Sequence, residues 1–380
     1  MSTRISILLV AAIGCLAICG FCQAEGEPEE AAPAARPSLE WIRVSEDRSH
    51  FVGIPSGKRI VIWGVNYDHD DQGRLLEDYW EEEWETVAAD FREIKALGAS
   101  AVRIHLQTAR FLDGPQRPNR ENLQRLGILV RLAEATGLYL DLTGLGCYHK
   151  RDVPPWYDRL DEAARWEVQA RFWRSVAEVC KSSPAVFCYD LMNEPILPGE
   201  KKPETEWLAG EFGGKHFVQR IALDLAGRTR LEVARDWVKR LTAAIREVDT
   251  RHMITVGVIP WALVFKGARP IFYAPEVGGP LDFASVHFYP EKGQVDAALA
   301  ALAVYNVGKP LVVEEMFPLR CGIEELEQFI DRSRKCADGW FSFYWGATIE
   351  ENERKGNLGG AIMAAWLRAF RSLATRLPGG

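Results

Sequence analysis

A chain of 380 residues, 47% hydrophobic and 26% charged, carries enough apolar material for one large core or two medium ones. That composition excludes the disordered and fibrous classes. The formal net charge of −7 comes with no basic block, so the charge pattern gives no sign of a nucleic-acid partner.

The first segments read as processing signals. Arg4 precedes an apolar stretch from Ile5 to Phe21, and Cys22-Gln23-Ala24 offers small side chains at a cleavage position. Residues 1–24 therefore read as a secretory signal peptide. The stretch falls short of the ~20 apolar residues that a spanning helix needs, so no stable membrane insertion is expected after cleavage. The expected location is secreted or periplasmic. Leu16-Ala17-Ile18-Cys19 also resembles a lipobox, which leaves a lipid-anchored form open. Residues 25–37 are acidic and rich in Ala and Pro, the composition of a flexible leader. No second linker follows, and residues 38–380 read as one domain with long loops. Cleavage would remove Cys15, Cys19 and Cys22 and leave Cys147, Cys180, Cys188, Cys321 and Cys336. An odd number cannot pair completely within the chain, and the spacings match no zinc pattern. A Cys321–Cys336 bridge and free buried thiols are both open.

Within the domain, apolar runs occur at Ile60–Tyr67, Ala101–Leu106, Leu138–Leu142, Ala185–Leu191, Met253–Ile259, Phe283–Tyr289, Leu311–Val313 and Trp340–Trp345. Amphipathic stretches at helical spacing lie between several of them, including Trp84/Val87/Ala88/Phe91/Ile94 and Ala234/Trp237/Val238/Leu241/Ile245. Strands alternating with helices predict an α/β fold with a parallel sheet. Gly64-Val65-Asn66-Tyr67 lacks a dinucleotide fingerprint after the first strand. Asn193, Glu194, His287, Glu315 and Trp345 all fall at the C-terminal ends of predicted strands, where a barrel builds its active site. The expected fold is a single (β/α)8 TIM barrel with long loops on that face. A hairpin near Trp41 to Lys58 is expected to close its bottom.

Two strand ends carry the chemistry. Phe187-Cys188-Tyr189-Asp190-Leu191-Met192-Asn193-Glu194-Pro195 puts a carboxyl group at the barrel mouth, and Pro310-Leu311-Val312-Val313-Glu314-Glu315-Met316 does the same. Glycoside cleavage needs two carboxyl groups, one to protonate the leaving oxygen and one to attack the anomeric carbon. Here the chain, from roughly residue 60 to its C-terminus, resembles clan A of the glycoside hydrolases, most closely family 5, the cellulase/β-mannanase type. The resemblance implies Glu194 as acid/base and Glu315 as nucleophile. By strand alternation Glu314 would face away from the mouth. It also implies substrate-binding roles for Arg103 beside the nucleophile, Asn193 at the 2-hydroxyl, the His287/Tyr289 pair, and Trp345 beneath the sugar. The implied function is a retaining β-glycosidase acting on a β-linked polysaccharide or oligosaccharide of mannan or glucan type, without cofactor or metal.

The chain departs from the family's cellulase pattern at Thr143, where a histidine is usual, and at Met316-Phe317-Pro318, where an aromatic-glycine pair is usual. Leu281 to His287 looks more like the β-mannanase branch. Trp156, Tyr157, Trp207, Phe212, Phe217 and Trp261 read either as sugar-stacking walls or as core. Two rival functions stand beside this one. Asp68-His69-Asp70-Asp71 with His105 and His149 could serve a metal-dependent barrel hydrolase, and the departures could mark a barrel that binds sugar without cutting it.

Overall fold

In the computed structural model, residues 39–377 are described; the signal-peptide and leader segments lie outside them. Eight parallel strands form the barrel: β1 Ile62–Asn66, β2 Ala101–Gln107, β3 Tyr139–Gly146, β4 Val186–Asp190, β5 Met253–Thr255 continued by Gly257–Val258, β6 Ala284–His287, β7 Leu311–Met316 and β8 Gly339–Ser342. The ladder runs in sequence order from the first half of β5 round to its second half, which pairs with β6. The expected closed barrel is what forms. β5 divides at Val256 because the Tyr273 hydroxyl takes over its ladder positions: it donates to the Val256 carbonyl (2.5 Å) and accepts from the Ser285 amide (2.8 Å).

The strands are buried on both faces, as a parallel sheet requires. Their outer side chains meet α1 Trp84–Ala96, α2 Arg120–Thr136, α3 Glu162–Cys180, α4 Arg230–Arg246, α5 Val295–Leu302, α6 Ile323–Ser333 and α7 Leu358–Ala374. In α1 the buried residues are Val87, Ala88, Phe91 and Ile94, the face given by the helical spacing. Trp173 is wholly buried in α3, with its indole N–H donating to the Leu191 carbonyl at 3.1 Å. No long helix follows β5; a four-residue turn of helix, Trp261–Val264, stands there instead.

The N-terminal hairpin pairs Trp41–Val44 with Phe51–Ile54. Phe51 packs edge-on against Phe187 and Phe283 at 5.2 and 5.3 Å, sealing the barrel at the N-terminal ends of its strands. Function is thereby confined to the other end. Residues 195–220, after β4, form a small sheet of their own from Pro195–Ile196, Leu208–Ala209 and Val218–Arg220. All five described cysteines are free thiols. Among the described residues no helix is long and apolar enough to cross a membrane.

Candidate active site

Arg103, projecting inward from β2, organises the mouth. Its guanidinium is fully buried and uses every N–H: to Thr143 Oγ1 (2.8 Å), Asn66 Oδ1 (2.9 Å), Glu315 Oε1 (2.8 Å), Asp190 Oδ2 (2.9 Å) and Asn193 Oδ1 (2.8 Å). One cation thus fixes residues from β1, β3, β4 and β7 in a single plane. Thr143, at the position where a histidine is usual, relays this contact by donating to Asp190 Oδ2 at 2.9 Å.

Glu315 ends β7 and is held at both oxygens, by Arg103 at Oε1 and by the Tyr289 hydroxyl at Oε2 (2.6 Å). Burial is the largest influence on its ionisation and pushes its pKa up; His287, Arg103 and the Tyr289 hydrogen bond oppose that rise. Arg103 and Tyr289 each favour the charged form, but burial outweighs them. Glu194 lies just beyond β4 with φ of +46°, a left-handed conformation costing roughly 1–2 kcal/mol in a non-glycine residue. The turn is fixed by its amide, which donates to the Gly257 carbonyl at 2.9 Å. It directs the carboxyl group to His287 Nδ1 at 2.8 Å. One oxygen of Glu194, one of Glu315 and a ring nitrogen of His287 lie within 4.8 Å of one another.

Two sequence expectations need correction. Glu314 stays out of the mouth's lining, as expected, but it lies inside the barrel and not on the opposite face of β7. β7 carries an irregularity at which His287 of β6 pairs with Glu315 and skips Glu314. Both glutamates consequently reach the same partners, Glu314 Oε2 lying 3.7 Å from Arg103 Nη2 and 3.5 Å from His287 Nε2. Burial opposes the charge of Glu314, but Arg103 and His287 overcome it and hold the pKa down to about 2. Trp345 does not floor the mouth. β8 ends at Ser342, and Trp345 turns back to donate from its amide to the Asn66 carbonyl (2.8 Å), with its ring edge-on to Tyr67 and only 2% of its surface exposed. Phe343 and Tyr344 stand at the mouth instead.

A cavity of about 450 Å³ opens over this floor of Asn193, Glu194, Tyr289 and Glu315. Its walls are Phe212, Phe217 and Val218 from the segment after β4, Phe317 and Leu319 after β7, and Phe343 and Tyr344 after β8. The 195–220 segment is anchored there by Asn193 Nδ2 donating to the Phe217 carbonyl (2.9 Å) and by Phe217 packing on Tyr148 at 5.0 Å. Of the other aromatic candidates, Tyr157 and Trp207 are buried and sandwich the Arg165 guanidinium at 3.7 and 4.3 Å. Trp261 is 40% exposed and lines a second groove behind Pro195.

The residues named for a metal site do not converge. Asp68 bonds His69 at 2.6 Å, Asp70 pairs with Arg74 at 2.8 Å, and His105 bonds the Tyr148 hydroxyl. Glu194, His287 and Glu315 form the one ligand-like cluster among the described residues. Both oxygens of Glu315 already accept hydrogen bonds. Burial disfavours a charged His287, but Glu315, Glu194 and Glu314 raise its pKa to about 10, so metal binding there would first have to displace a proton.

The family model for cellulase (glycosyl hydrolase family 5) matches residues 57–317. The chain belongs to glycosyl hydrolase family 5. It is 25% identical over 261 residues to mannan endo-1,4-beta-mannosidase A of Podospora anserina, covering 61% of each chain. It is 27% identical over 124 residues to mannan endo-1,4-beta-mannosidase 2 of Arabidopsis thaliana, covering 29% of this chain and 22% of that one. The matches thus span less than two thirds of these relatives' lengths. Among solved structures, the exo-beta-1,4-mannosidase Op5Man5 from Opitutaceae bacterium strain TAV5 superposes with a TM-score of 0.66 at 17% identity, covering 88% of this chain and 62% of that one. The catalytic domain of Thermobifida fusca endoglucanase Cel5A gives 0.57 at 16% identity, covering 88% and 97%. These likenesses show the (β/α)8 fold.

Proposed function

We propose that the protein is a retaining β-glycosidase that cleaves O-glycosidic bonds of a β-mannan or β-glucan type substrate. The observation that carries this reading is the approach of Glu194 and Glu315 to within 4.8 Å across the mouth, with Glu315 gripped at both oxygens. Retaining enzymes hold their carboxyl groups about 5–5.5 Å apart, and inverting ones about 6.5–9.5 Å to admit a water. In the first step Glu194 gives its proton to the leaving oxygen while Glu315 attacks the anomeric carbon, forming a glycosyl ester as the C–O bond breaks. In the second, Glu194 takes a proton from water, whose oxygen attacks the same carbon and releases Glu315. Arg103 and Tyr289 orient the nucleophile, Asn193 lies where a 2-hydroxyl would bind, and Phe343 replaces Trp345 as the apolar face beside the sugar. Membership of family 5 and the two mannosidase relatives support the substrate class.

Proton NMR of the first-released sugar tests the reading: β-mannan or β-glucan oligosaccharides should yield the β-anomer before mutarotation. First release of the α-anomer, or no turnover of any β-glycoside, would refute it. Activity is expected to survive strong chelation, which separates this reading from the metal-dependent one. Export through a signal peptide at residues 1–24 belongs to the same proposal and rests on the leader's composition alone. N-terminal sequencing of the mature protein should begin at Glu25.

A further inference from the structure

Glu314 is not needed as acid or nucleophile, yet the barrel interior is shaped around it. The irregularity in β7 turns it inward, where its side chain is wholly buried. Gly257 leaves it room: a Cβ there would sit 2.3 Å from Glu314 Oε2 and 2.8 Å from His287 Nε2. Glu314 Oε2 lies 3.7 Å from Arg103 and 3.5 Å from His287, and the Asp141 carboxyl group bears on Glu314 as well. His287 therefore stands among three carboxyl groups, with Nε2 3.5 Å from Glu314 and Nδ1 2.8 Å from Glu194 and 3.5 Å from Glu315; Glu314 is the one on the Nε2 side.

Resting on the assignment of Glu194 and Glu315 as the catalytic pair, we propose that Glu314 is a positioning residue. From the Nε2 side, and together with Glu315 at Nδ1, it keeps the His287 imidazole cationic, so that Nδ1 donates to one oxygen of Glu194 and the acid proton stays on the other, facing the leaving group. A neutral ring with a free Nδ1 would accept that proton and draw it away from the mouth. As the leaving oxygen takes the proton, Glu194 becomes a carboxylate beside a fixed cation. His287 gives up nothing in either step.

The groups facing His287 fit this arrangement. Asp190 comes from β4 and Glu194 from just beyond it, Glu314 and Glu315 from β7, Arg103 and His105 from β2, and Tyr289 from beyond β6. Asp141, on β3, faces Glu314 and is held protonated chiefly by burial and by the Glu314 charge. Burial and Arg103 push the His105 pKa well down, so that ring stays neutral. The pKa of about 10 at His287 agrees with a cation under working conditions.

The test is nitrogen-15 NMR of His287 in the full chain, with kinetics on phenyl and 2,4-dinitrophenyl β-mannosides, or the β-glucosides if those are the ones turned over. The wild-type His287 ring should remain imidazolium from pH 5 to 8; a neutral ring there overturns the proposal even if no variant folds. In Glu314→Gln the ring should titrate within that range. The phenyl glycoside, which needs the acid, should lose about a hundredfold in kcat/KM, and the dinitrophenyl glycoside, which does not, only a few-fold. Glu314→Asp should restore the imidazolium and narrow the gap. Equal losses for both substrates, or a ring that stays cationic in Glu314→Gln, contradict the proposal. Wild-type failure on every β-glycoside would instead refute the catalytic assignment on which it rests.

Discussion

All five N–H donors of Arg103 are engaged, and no other side chain can reproduce that fork. Arg103→Lys should keep the charge and lose the geometry, lowering kcat at least a hundredfold. Arg103→Met should in addition leave Glu315, Glu314 and Asp190 uncompensated, and urea titration should show a loss of about 3–5 kcal/mol. Tyr289→Phe removes a donor to the ionised form of Glu315, whose pKa burial already raises. Glu315, the proposed nucleophile, becomes harder to ionise, so the acid limb of the kcat/KM profile should move to higher pH. An unmoved or lowered limb would show that this hydroxyl does not act on Glu315. Asn193, Glu194, His287, Tyr289 and Glu315 could be found in the sequence because each is polar at the end of an apolar run, whereas Arg103, inside the run Ala101–Leu106, was found only through the family resemblance. Glu314 could not be placed correctly, because alternation assumes an unbroken ladder and the irregularity between β6 and β7 breaks it. Trp345 was misplaced because apolarity alone runs on to that residue, while pairing with β1 stops at Ser342.

At the scale of elements, the eight apolar runs and the helical faces between them were legible because parallel strands buried on both sides need continuous hydrophobicity. The division of β5 was not, since it depends on a hydroxyl seventeen positions away in sequence, from Tyr273 to Val256. Tyr273→Phe strands the Val256 carbonyl and the Ser285 amide inside the barrel wall, and should cost about 1–3 kcal/mol in thermal or urea unfolding. Of the segment 195–220 the sequence shows only its aromatic residues, Trp207, Phe212 and Phe217. Its small sheet comes from pairings of two or three residues that leave no periodicity to detect. Phe217, held by Asn193 and Tyr148, is the wall residue it delivers to the mouth.

For the molecule as a whole, closing one end of the barrel with the hairpin gathers the buried charge at the other, and this sets the pH dependence of stability. Burial raises Glu77 to about 7 and Asp141 well above its ordinary value, so the folded chain holds protons that the unfolded chain has released. His287, at about 10, likewise stays protonated when folded after an unfolded histidine has lost its proton. Glu77 finishes its decline just above pH 7, and His287 carries the decline on from about 6.5 toward 8.5. The opposing carboxylates, Glu314 and Asp68 at about 2, have made their full contribution by pH 6.5, and the depressed His105 completes its own within about one pH unit above that, as an unfolded histidine loses its last protons. The urea midpoint should therefore fall across that window; a flat or rising midpoint would contradict the buried-charge picture. The proposed activity assigns separate roles to two glutamates, and azide rescue separates them. With a dinitrophenyl β-glycoside, Glu194→Ala should form the glycosyl-enzyme and stall, because the second step lacks its base. Added azide should then restore turnover and give a β-glycosyl azide, while Glu315→Ala should form no covalent intermediate. An α-glycosyl azide from Glu194→Ala, or rescue of neither variant, would contradict the assignment.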